Sequence, residues 1–125
     1  MTDIYEDIDA FGYARLAAYI MSAWTEIELR HTDGTPAMPR ITESDGRMTI
    51  ENRAEDGYIE YNIQITGEDA DIVLPMTFTE IAIFDTNSNG TPVKVKTVEE
   101  KGVADSTRCV VLRFRIAVPI PTAEE

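Results

Sequence analysis

The chain has 125 residues, a length that suits one domain and lets about two thirds of the unfolded surface be buried without disulfide or metal. Its net charge of −12, from 23 acidic and 11 basic side chains, sets up a field that repels phosphate backbones and argues against a nucleic-acid partner. The single cysteine, Cys109, excludes an internal disulfide.

The leader "MTDIYEDIDA" holds Asp3, Glu6, Asp7 and Asp9 and no Lys or Arg, the reverse of a secretory signal. The longest nearly uncharged apolar run, Leu16 to Trp24, is far short of the ~20 residues of a membrane span. The expected product is a soluble protein made in the cytoplasm without cleavage. The domain spans 1–125, and its ends, 1–8 and 121–125, are polar or acidic and expected to be loose.

Residues 10–23, "AFGYARLAAYIMSA", predict a helix rich in strong helix formers. Asp9 is placed to cap it through its carboxylate, and Gly12 suggests a start nearer 12. Apolar residues surround most of the helix, with Arg15 and Ser22 as polar relief. Such a helix is expected to be buried on several sides. The period then changes from 3.6 to 2. Strands are predicted over Thr25–His31, Arg47–Arg53, Tyr58–Thr66, Phe78–Asp85, Pro92–Thr97 and Arg108–Ile120. "DGTPAMP" and "EDGY" are turns. "YIEYNIQIT" alternates most cleanly, with Ile59, Tyr61, Ile63 and Ile65 inward and Glu60, Asn62 and Gln64 outward. "FTEIAIFD" is apolar on both faces, which places it centrally. In the last strand, Val110, Leu112, Phe114, Ile116, Val118 and Ile120 form the buried face. Cys109 reads as a structural cysteine on the outer parity. The fold class is mainly β: an antiparallel β-sandwich or partly closed barrel with one N-terminal helix.

The sequence offers little chemistry. "DTNSNG" (85–90) fits the first half of a calcium loop, but the position that should supply a bidentate glutamate is Lys96, and strands rather than helices flank it. It reads as a hairpin turn, with Asp85, Asn87 and Asn89 left as weak metal candidates. His31 lies beside a turn, the serines lack a nucleophile-elbow context, and the outward carboxylates read as solvated charge. No catalytic residue and no cofactor is expected, so the chain reads as a non-enzyme.

Three segments together resemble tail-fibre and baseplate-associated proteins of tailed bacteriophages. They are "GYARLAAYI" leading into "TEIELRHTDGTPAMP", then "FTEIAIFDTNSNGTPVKV", and the closing "VVLRFRIAVPI". The family shows a small-residue helix after a glycine, a strand and a Gly/Pro loop. A segment like "ITEIGLFDADG" follows, and then a long closing strand. Ala82 stands where the family usually has glycine, and "HTDGTP" only echoes its "GDG" loop. The resemblance implies a virion structural protein of the attachment-domain type, assembled in the host cytoplasm. It would be a homo-oligomer, often a trimer, joining tail-fibre or baseplate parts through contacts with other virion tail proteins. It implies no cofactor.

Two further readings stay open. One is a carbohydrate- or calcium-binding β-sandwich, for which Trp24, on the face opposite Ile27 and Leu29, is the aromatic of interest. The other is a small acidic enzyme or inhibitor. For the structural reading, Leu16, Tyr19, Ile20 and Trp24 are the expected interface, sharing burial between the sheet and a neighbouring chain. The acidic N-terminal arm would sit beside it, available to a basic partner.

Overall fold

The computed structural model describes residues 4, 6, 8–86 and 90–118. Its elements, in chain order, are α1 (Ala10–Ala23), β1 (Glu26–Arg30), β2 (Ile41–Thr42), β3 (Met48–Arg53), a 3-10 turn (Ala54–Asp56), β4 (Tyr58–Thr66), β5 (Met76–Phe84), β6 (Pro92–Val103) and β7 (Cys109–Ala117). All strand pairs are antiparallel. One sheet has the order β2-β1-β5-β6 and the other β3-β4-β7. The sheets do not close into a barrel, so the fold is the β-sandwich alternative. Ile120 and residues 121–125 lie outside the described residues, as does much of 1–8.

Period-2 patterning explains the core. On β4, Ile59, Tyr61, Ile63 and Ile65 are buried, and their ladder partners Met48 and Leu112 are buried with them. The facing sheet supplies Ile27, Leu29, Ile41, Phe78, Ile81 and Ile83 to the same cluster. "FTEIAIFD" is central as expected, because β5 pairs with β1 on one side and β6 on the other. Phe114 and Ile116, expected in the core, are only half-buried and pack at its margin. Their strand, β7, is an edge strand with β4 as its single neighbour, so one flank of each side chain is open.

Two elements escaped the periodicity. β2 has two residues, too few to show any period. β6 was expected to end near Thr97 but continues to Val103. Lys101 pairs with Phe78 and Thr97 with Glu80, so residues 98–100 bulge against Thr79. A bulge breaks alternation while the ladder continues. Beyond it, Gly102 lies so close to β5 that a Cβ there would overlap the Met76 carbonyl oxygen.

The helix packs on β3 and β4. Ala17, Ile20 and Ala23 are its buried residues, with Tyr13, Met21 and Trp24 partly buried beside them. These positions fall on one stripe of an α-helix. The helix is therefore covered by its own domain on one side, not on several. It starts at Ala10, and Gly12 is accommodated because Ile8 folds onto it, 3.3 Å from where a Cβ would sit. Asp9 occupies the N-cap position, but its carboxylate makes no capping bond; its backbone carbonyl accepts from the Tyr13 amide at 3.0 Å. At the other end, the Tyr61 hydroxyl donates to the Trp24 carbonyl at 2.7 Å and the Thr86 amide to the Ala23 carbonyl at 2.8 Å. The helix C-terminus is thus fixed to both sheets.

Candidate interaction surfaces

The four residues expected to form an interface divide between the two sides of α1. Ile20 is 3% exposed and belongs to the core. Trp24 is half-buried and packs against the same core. Leu16 and Tyr19 face outward, at 42% and 48% exposure, and Phe11, at 75%, joins them on the solvent side. The Tyr19 hydroxyl donates to Asp85 Oδ2 at 3.0 Å. The Arg15 guanidinium lies 5.9 Å from the Phe11 ring centroid, within cation–π range. The outward half of α1 is therefore apolar with one flanking cation.

Trp24, the aromatic of interest for a sugar site, packs part of its surface against the core and keeps the rest accessible. Of the weak metal candidates, Asn87 and Asn89 lie outside the described residues, and Asp85 is engaged by Tyr19. Among the described residues no group of three His, Cys, Asp or Glu could hold a metal ion. Cys109 is exposed, which follows its outer parity and goes against its reading as a structural cysteine packed in the fold. His31 is also exposed, at the edge of a shallow depression shared with Asp33, Thr79 and Glu100. In that depression the Thr32 and Thr79 hydroxyls bond each other at 2.8 Å.

Six of the carboxylates are built into three ion clusters instead of standing alone in solvent. On the outer face of the first sheet, Glu28 is buried beside Arg30, 2.8 Å away, and Arg40, 3.8 Å away. Arg40 also bonds Glu26 at 3.1 Å and lies over Phe84, 3.6 Å from its centroid, while Arg30 approaches the same ring to 5.3 Å. Two arginines thus roof an outward phenylalanine. On the second sheet, Glu60 is buried. It accepts from the Asn62 amide at 3.1 Å and from Arg115 at 3.0 Å, with Arg113 at 3.9 Å. The Asn62 amide first, then the Arg115 hydrogen bond, holds the Glu60 carboxyl below the usual range. In the third cluster, Arg47 lies among Asp45, Asp69 and Asp71 at 2.5, 3.2 and 2.8 Å. A guanidinium occupies the position a metal ion would take, so three clustered aspartates make no cation site. All three clusters bind the fold's own parts.

A further feature is a groove of about 470 Å³ between β6 and β7. Ile81, Val98, Leu112 and Phe114 form its apolar floor, and Lys94, Lys96, Lys101, Arg113 and Arg115 its margin. Lys96 pairs with Ile81 and Lys94 with Ile83 across the ladder, so both lysines sit on the core-facing side of β6. Nothing in the alternation of "PVKVKT" marked this arrangement, because it depends on where the second sheet ends.

Comparison with protein families, with curated proteins and with solved structures finds no match. The surfaces therefore stand on their own chemistry. Among the described residues, no helix is long and apolar enough to cross a membrane.

Proposed function

We propose that this chain is a non-enzymatic structural protein of a tailed-bacteriophage virion or prophage, joining tail-fibre or baseplate components through protein–protein contacts. The observation that carries the reading is the outward half of α1. Phe11, Leu16 and Tyr19 keep 75%, 42% and 48% of their surface in water on a helix whose other half is in the core. Large exposed apolar surface on a folded domain marks an interaction site. The sequence resemblance supports the choice of phage tail, since its central segment forms the adjacent strands β5 and β6. Symmetric self-association through α1 is the simplest way to cover the helix.

The test is the solution mass by light scattering. Wild-type protein is expected at a multiple of the chain mass. Leu16→Asp is expected to run as a monomer with an unchanged circular dichroism spectrum, because Leu16 points away from the core. Wild-type protein that stays monomeric at high concentration would remove the assembly reading.

A further inference from the structure

A four-stranded sheet faces a three-stranded one, and β6 and β7 are both edge strands. The groove lies between them. Its floor is apolar, and among the described residues no acidic side chain lines it. Lys94, Lys96 and Lys101 have no ion-pair partner among the described residues. In a chain with 23 acidic and 11 basic side chains, three unpaired lysines in one groove are a concentration of unused positive charge. Arg113 and Arg115, by contrast, already neutralise Glu60.

We propose that this groove receives an extended acidic segment of a partner protein, which adds as a fourth strand beside β7. The strand geometry sets the pairing. β7 contributes both its inward residues Leu112 and Phe114 and its outward residues Arg113 and Arg115 to the groove, so the edge away from β4, which has no strand partner among the described residues, lines the space with backbone groups. An added strand would gain main-chain hydrogen bonds there and specificity from alternate side chains. Its apolar residues would cover Val98, Leu112 and Phe114, and its carboxylates would reach Lys94, Lys96 and Lys101. The same lysines oppose pairing with a basic strand, as inward charges on edge strands do, so they act as a selector. The apolar floor of Ile81, Val98, Leu112 and Phe114 favours a strand with alternating apolar residues over nucleic acid as the occupant. The inference rests on the assembly reading but uses a different surface from α1.

The probe is a fluorescein-labelled EIEIEIE peptide, followed by anisotropy, with KIKIKIK as control. Wild-type protein is expected to bind the acidic peptide and not the basic one, and more weakly at about 500 mM than at about 50 mM salt. The K94E/K96E/K101E variant is expected to bind at least about tenfold more weakly, and K94Q/K96Q/K101Q to fall between. The three side chains are exposed, so both variants should keep the wild-type spectrum and melting curve. Hydrogen exchange on the complex should show new protection of the outward amides of β7. The proposal is overturned if the acidic peptide fails to bind, if the charge-reversed variant binds it equally, or if β7 gains no protection. It is equally overturned if laurate or a short DNA strand binds through these lysines while the peptide does not. The mass of the Leu16→Asp variant, measured without peptide, reports on the α1 interface separately.

Discussion

Tyr61→Ala is expected to cost about 3–5 kcal/mol of unfolding free energy, the range for emptying a large aromatic site in a packed core. Tyr61 has no exposed surface. It lies on the central strand of its sheet, between Ile50 of β3 and Phe114 of β7. Its hydroxyl also holds the Trp24 carbonyl at the helix C-terminus, and burial pushes its ionisation well above the ordinary tyrosine range. Tyr61→Phe separates the two contributions. It keeps the ring and leaves the Trp24 carbonyl without this donor, so about 1–2 kcal/mol should be lost. Urea unfolding of both variants gives the comparison. Equal losses would mean that the hydroxyl, not the packed ring, dominates. No loss in Tyr61→Phe would mean that the helix is held by its apolar stripe alone.

Much of the fold was legible because most of its strands obey one rule. Helix 10–23 and strand 58–66 fall on the residues that periodicity marked. Each has one buried face and enough residues to show it. Legibility failed where a second neighbour intervenes. β6 could not be followed past Thr97 because its bulge against Thr79 removes the period. Phe114 has core parity, yet half of its environment depends on there being no strand beyond β7, which no local pattern records. The helix is apolar nearly all round, yet its own domain covers only one side of it. Which half its own domain covers was set by the packing of Ala17, Ile20 and Ala23, not by composition.

The outward charges teach a related lesson. Glu28 and Arg30 share a strand face at i and i+2, so their pairing was open to inspection. Arg40 was not, since it reaches Glu26 and Phe84 only through the loop that brings β2 beside β1. Alternation identifies which face a residue takes. It does not say that an outward residue stays in water, because long side chains on neighbouring strands can cover one another. The interaction surfaces divide the same way. The apolar outer half of α1 could be foreseen from residue types, whereas the lysine-lined groove exists only because one sheet has a strand more than the other.

The clearest electrostatic consequence lies at Arg47. Its guanidinium bonds Asp45 beside it and reaches Asp69 and Asp71 beyond β4. It thereby staples the segment between β4 and β5 to the start of β3. Arg47 hydrogen bonds hold the Asp45 and Asp71 carboxyls below their ordinary value of 3.8. The three aspartates push the guanidinium's own ionisation further up, Asp45 most. Carboxyls with a depressed folded-state pKa contribute stability that is present above their unfolded value and is lost as pH falls through the folded value. Arg47→Met keeps most of the aliphatic stem but leaves three carboxylates facing one another. The expected loss near neutral pH is about 2 kcal/mol. That is the scale of hydrogen bonds to charged groups, reduced because Asp71 is more than a third exposed and solvent screens it. The deficit should shrink as pH drops below about 4, since protonation weakens the network in the wild type and relieves repulsion in the variant. Urea unfolding of both proteins across that range reads the difference directly. A deficit that stays constant with pH would assign the role of Arg47 to the packing of its stem rather than to its charge.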